Sequence, residues 1–284
     1  MNRKSYILFA SLLAACSVND SFEVSKNEGV GSVALYAEIT NEVGATIASK
    51  AENSTYTIPT ELVPSASDLK LAIYEKITDS ESGTEYNLYK EYANLSAYDA
   101  PEMSAGDYTA IVSYGEGIDV ESATNAFFTD TLDFTIVANE SITASMNATL
   151  ANSIVKLQVT DDFNTYFAGG ATLKLSTEAG GSIELDFPLA DDADESILFV
   201  EANTNLYVGG TAIKQDPGTG VAPSVTFATT KVGVANQGMM NNVIIDASDT
   251  GGASITITIN GTITTVSTTT VDVNSGSITT ETEE

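Results

Sequence analysis

The chain has 284 residues, 43% of them hydrophobic and 18% charged, with 39 acidic residues against 11 basic ones and no histidine or tryptophan. A formal charge of −28 repels phosphate backbones and anionic head groups, which argues against nucleic acid as a partner. Without histidine there is no zinc site, Ser-His-Asp triad or Cys-His dyad to build, while the apolar content is ample for a packed core.

Residues 1–15 read as a signal peptide: basic Arg3 and Lys4, an apolar run from Tyr6 to Leu13, then the small residues Ala14 and Ala15. The apolar run falls short of the roughly 20 residues that a membrane-crossing helix needs. Leu13-Ala14-Ala15-Cys16 resembles the lipobox of bacterial lipoproteins, which implies a diacylglycerol on Cys16 and cleavage just before it. Cys16 is the only cysteine, so no intramolecular disulfide can form. Removing Arg3 and Lys4 leaves 9 − 39 = −30 for the mature chain. Two or more acyl chains hold a protein on a membrane stably. Residues 16–30 are polar and aperiodic and read as a tether with a reach on the order of 20 Å.

From there the apolar residues fall at every second position, the period of a half-buried strand. The pattern runs through Val33, Leu35, Ala37 and Ile39, then Leu69, Leu71 and Ile73, with Ser82-Gly83 as a hairpin turn into a Tyr86–Tyr92 segment. It returns at Tyr108–Tyr114, Leu132–Ile136 and Ile142–Leu150. A second series opens at Val155, Leu157 and Val159 and continues to Val271 and Val273. Only Asp161–Phe167 reads as a helical turn, with Thr160 as its cap. Many short strands and a Thr/Ser/Val/Ile/Gly-rich composition predict an all-β protein of two tandem β-sandwich domains. The expected division is 31–150 and 151–275, separated by the polar pair Asn152-Ser153, with an acidic frayed tail at 276–284.

Few residues in this chain could carry chemistry. Asp191, Asp192, Asp194 and Glu195 form the densest acidic cluster; a solvated turn is the preferred reading and Ca²⁺ the alternative, because the spacing is not that of an EF-hand. Asp161 and Asp162 suit a helix N-terminus. Gly169-Gly170 and Gly251-Gly252 lack the lysine of a phosphate loop and read as turns. Tyr86, Tyr89, Tyr92 and Tyr98 offer an aromatic surface, of which alternation commits at least half to packing. A carboxylate pair could still serve a glycosidase, but 39 acidic residues bring some pair to the right separation by chance, and tryptophan, the usual sugar platform, is missing. No cofactor is expected.

Two stretches carry a family resemblance. Met103-Ser104-Ala105-Gly106-Asp107-Tyr108-Thr109-Ala110, followed by Phe127-Phe128 and Leu132–Val137, resembles the first domain of fimbrillin-like lipoproteins of Bacteroidales. Asn152-Ser153-Ile154-Val155-Lys156-Leu157, with Asp162-Phe163 and Tyr166-Phe167, is similar to the start of their second domain. The resemblance implies two transthyretin-like β-sandwiches displayed on the outer membrane, with pilus subunits or other surface proteins as partners. Polymerising fimbrillins mature by cleavage after an arginine, and the mature chain has none. The resemblance therefore implies a non-enzymatic anchor, accessory subunit or independent adhesin-like surface protein, with a glycan-binding lipoprotein as the alternative.

Overall fold

The computed structural model describes residues 29–45, 54–79, 83–189, 197–215, 218, 220–247, 252–259, 262–271 and 278–280. The fold is all-β, with several sheets; among the described residues it contains one α-helix of six residues.

The first half contributes β1 (Val30–Ile39), β2 (Glu42–Ala45), β3 (Ser54–Thr57), β4 (Lys70–Asp79), β5 (Gly83–Tyr92), β6 (Met103–Ser104), β7 (Gly106–Tyr114), β8 (Phe128–Ile136) and β9 (Ser141–Leu150). Seven of these join in the order β5-β4-β7-β8-β9-β1-β6. β8 meets β9 only at Phe128–Leu150 and Thr129–Thr149, so the sheet turns a corner there. Its two halves then face each other across one core: Leu71, Ile73, Tyr108, Ala110 and Val112 from one side, Val33, Leu35, Met146 and Ala148 from the other. The alternation read in the sequence is the cause, since burying every second side chain fixes which face turns inward.

The second half contributes β10 (Ser153–Val159), α1 (Asp161–Tyr166), β11 (Ala171–Thr177), β12 (Ser182–Phe187), β13 (Ile197–Val200), β14 (Asn205–Ile213), β15 (Ser224–Val234), β16 (Met239–Ala247), β17 (Gly252–Ile259), β18 (Thr262–Val271) and β19 (Ile278–Thr280). One sheet runs β12-β11-β14-β15 and another β13-β10-β16-β17-β18-β19. A second core gathers Leu173, Leu175, Val208 and Phe227 with Val155, Leu157, Val243 and Ile245. Thr160 caps α1 as expected, its hydroxyl accepting from the Phe163 amide at 3.2 Å. The helix thereby drops Phe163 and Phe167, 4.7 Å apart, into this core.

Two expectations change. Residues 278–280, expected within a frayed tail, form β19 against Thr269–Val271 of β18; Ile and Thr favour strand, and an open edge was there to receive them. Asn152 and Ser153, expected as a polar spacer, are fully buried. Asn152 donates from Nδ2 to the Asn125 carbonyl at 2.7 Å and accepts from the Phe127 amide at 3.3 Å, while Ser153 Oγ donates to the Asn236 carbonyl. Such burial is sustained only because each polar atom finds a partner.

Further contacts run across the same place. β2 pairs in parallel with the start of β16 and antiparallel with β3, so a hairpin from the first half extends a sheet of the second. Ser122 and Phe199 exchange two backbone hydrogen bonds of 3.1 and 2.9 Å. Glu121 accepts from the Thr177 hydroxyl, from the Gly181 amide at 2.9 Å and from the Glu201 amide at 3.2 Å. A side chain at position 181 would run into that carboxylate, so glycine is required there.

Candidate functional site

β4 turns Leu71 and Ile73 into the core, which sends Ala72, Tyr74 and Lys76 to the outward face. Register carries that face across the neighbouring strands in rows. Lys76 lies opposite Asp107 of β7, and Asp107 opposite Thr135 of β8. Tyr74 lies opposite Thr109, and Thr109 opposite Asp133; Ala72, Ile111 and Thr131 make the next row. On the other flank the register jumps between Ile73 and Tyr74, leaving Tyr89 of β5 as the extra residue of a bulge. The bulge resets alternation and puts Leu88 opposite Tyr74 and Tyr86 opposite Lys76.

The polar groups of this face are tied together. Lys76 Nζ lies 3.0 Å from Asp133 Oδ2, Thr109 Oγ1 donates to Asp133 Oδ1 at 2.5 Å, and Thr135 Oγ1 donates to Asp107 Oδ1 at 2.7 Å. The hydrogen bond from Thr109, then that from Lys76, holds the Asp133 carboxyl below its ordinary range. Reciprocally, the bond to Asp133 pushes the Lys76 ammonium up. Asp107, Asp133 and Thr135 are exposed, Tyr86 is 41% exposed and Leu88 56%. The result is a set of fixed acceptors beside a partly exposed tyrosine and leucine.

The four tyrosines singled out in the sequence divide. Tyr92 is buried and donates to Asp99 at 2.8 Å; Lys90 Nζ lies 3.2 Å from the same carboxylate and 4.6 Å from the Tyr92 ring centre. Tyr98 packs edge-on against Tyr92, and its hydroxyl donates to the Val33 carbonyl of β1 at 2.7 Å. Tyr89 and Tyr86 remain 40% and 41% exposed. Tyr89 lies edge-on to Tyr108, which stacks on Phe134; burial pushes the Tyr108 phenol up to about 12.

Cys16 and the acidic cluster Asp191, Asp192, Asp194 and Glu195 lie outside the described residues. Among the described residues no three Asp, Glu or Cys side chains come together in a metal-binding arrangement, and no helix is long and apolar enough to cross a membrane. Gly169 and Gly170 border a shallow cleft of about 240 Å³ with Thr172, Asp186, Thr211 and Ile213, in which Thr172 donates to Asp186 at 2.6 Å. Among the described residues, hydrogen bonds from Tyr92 to Asp99, from Thr109 to Asp133 and from Asn205 to Glu178 hold these three carboxyls below their ordinary range. Tyr74, Lys76, Asp107 and Asp133 were not legible as a group, because only strand register brings them together.

A family model described as Domain of unknown function (DUF4493) matches residues 29–275. The chain belongs to that family. The DUF4493 match opens one residue before β1 and takes in both cores and the outward face of the β5-β4-β7-β8 half-sheet. No curated protein matches the chain. Among solved structures it is similar to a fimbrial assembly protein from Parabacteroides distasonis, at 10% identity and a TM-score of 0.41, covering 84% of this chain and 98% of that one. A candidate cell adhesion protein of the same species gives 8% identity and a TM-score of 0.43 over the same shares. A candidate polysaccharide-binding protein (DUF1812) from Bacteroides thetaiotaomicron gives 10% and 0.37, again over 84% and 98%.

Proposed function

We propose that this DUF4493 chain is a non-enzymatic, adhesin-like lipoprotein of the cell surface, held on the outer membrane by lipid on Cys16, and that it serves as an anchor or accessory subunit of a fimbria. Its building blocks are two β-rich units, residues 31–150 and 151–275. The observation that carries the reading is the edge strand β5: ten residues long, paired among the described residues with β4 alone, and exposed at every position from 83 to 89. A strand edge offers a row of backbone donors and acceptors to which an extended segment of another protein can add. The bulge at Tyr89 and the charges of Glu85 and Glu91 blunt it against indiscriminate pairing, as native edges require.

The test is a pull-down from intact cells with the lipidated protein, set against a secreted Cys16→Ala form. Because the chain has no second cysteine, Asn87→Cys in that secreted form gives one thiol on β5 for a cross-linker. Cross-linking to pilus subunits or other surface proteins is expected. Recovery of neither class by either form rules the reading out.

A further inference from the structure

We infer that the two halves of the chain are locked at a fixed angle into one folding body by a row of five residues, Ser122, Phe199, Ile154, Met240 and Ala45, and that Glu121 is the fastener at the Ser122 end. Register lays the row out strand by strand. Ser122 lies opposite Phe199 of β13, Phe199 opposite Ile154 of β10, Ile154 opposite Met240 of β16, and Met240 opposite Ala45 of β2. The three middle residues belong to the second half and the two outer ones to the first. Phe199 and Ile154 are fully buried and Met240 nearly so, and all three pack in the core of the first half. The second half thus supplies part of the first half's interior, which tandem domains that merely touch do not do.

The layout makes a lock and not a hinge. The chain enters β10 in the middle of the row, where one strand alone could bend or twist. Ser122 sits beside β13 on one flank of β10, and β2 sits beyond β16 on the other, a span of four strand spacings or about 19 Å. Bending toward either flank must break backbone bonds at the opposite end. The Ser122 end is stiffened from within its own loop: Asn125, 5% exposed, donates from Nδ2 to the carbonyls of Gly117 and Val120 at 2.9 and 2.6 Å and accepts from the Glu116 amide at 2.8 Å. The Asn125 carbonyl in turn accepts from Asn152 at the foot of β10. Next to Ser122, the Glu121 carboxylate takes hydrogen bonds from the Thr177 hydroxyl and from the Gly181 and Glu201 amides, all of the second half, and such charge-assisted bonds hold the end of the row shut.

Because Cys16 is the only native thiol, Thr131→Cys on β8 and Lys174→Cys on β11 in the secreted Cys16→Ala form place one spin label on each half, both at exposed positions. One narrow label-to-label distance distribution is expected. Hydrogen exchange followed against denaturant should show Leu71 and Ile73 of one core and Leu173 and Leu175 of the other losing protection together. Glu121→Ala is expected to broaden the distribution and to speed exchange of the Ser122 and Phe199 amides about tenfold. Glu116→Ala, which removes an exposed carboxylate of the same loop, should change neither. Circular dichroism checks that each variant keeps its strands, and where one does not, the measurements on the parent decide alone. A broad or two-peaked distribution in the parent, separate loss of protection in the two cores, or an unchanged distribution in folded Glu121→Ala overturns the lock.

Discussion

β1 and β10 play equivalent parts in the two halves of the molecule and are built differently. Each leads its half and pairs in parallel with a later strand, β1 with β9 and β10 with β16. β10 also has β13 along its other side from Ser153 to Lys156, and its first five residues are all buried. Among the described residues β1 has β6 beside it only at Val30 and Gly31, and Tyr36 and Glu38 on its outward face are exposed. Parallel pairing is thus compatible with two very different degrees of enclosure. What separates them is whether a second neighbour covers the far edge.

The comparison is sharpest at Ile154 of β10, which is fully buried and reaches the core of the other half. Ile154→Ala is expected to cost about 3 kcal/mol in chemical denaturation, and a value under about 1 would mean that β10 is less enclosed than described. Asn152→Ala, just before β10, strips partners from the Asn125 carbonyl and the Phe127 amide and is expected to cost about 2 kcal/mol in the same assay.

On the β1 side, Tyr98→Phe removes the hydroxyl that donates to Val33 and is expected to cost about 1 kcal/mol, with faster hydrogen exchange confined to β1 and its neighbours. A pH titration bears on the half-sheet behind it. The folded Asp133 carboxyl lies below its ordinary value of 3.8, so its contribution is whole above that value and fades as pH falls through the folded one. Because the Asp133 side chain is 58% exposed, the effect is small, about 0.5 kcal/mol, and Asp133→Asn should abolish that part of the acid dependence. Tyr36→Ala on β1 should change stability by less than about 0.5 kcal/mol; a larger loss would show that β1 is covered after all.

Local pattern was enough for much of the fold. Val33 with Leu35, and Leu71 with Ile73, announced which faces turn inward, and Thr160 ahead of Asp161 announced the helix. Such signals lie within a few residues of one another. β2 and β3 escaped notice because four residues each give no period to read, and the strand that β2 joins lies almost two hundred positions away. Asn152 and Ser153 were misjudged because polarity alone does not reveal whether partners wait in the folded state. The outward face was illegible for the same reason: Lys76, Asp107 and Asp133 become neighbours only through register, and the placement of Tyr86 depends on a one-residue bulge.

The parallel alignment of β1 with β9 has a mechanical consequence. β1 is the first described strand, and eight of its residues pair along β9, which leads straight on to β10. A pull toward the N-terminus, resisted from the far end of β9, would load those rungs together in shear instead of opening them one at a time. A chain tugged from its first strand would therefore yield abruptly and at high force.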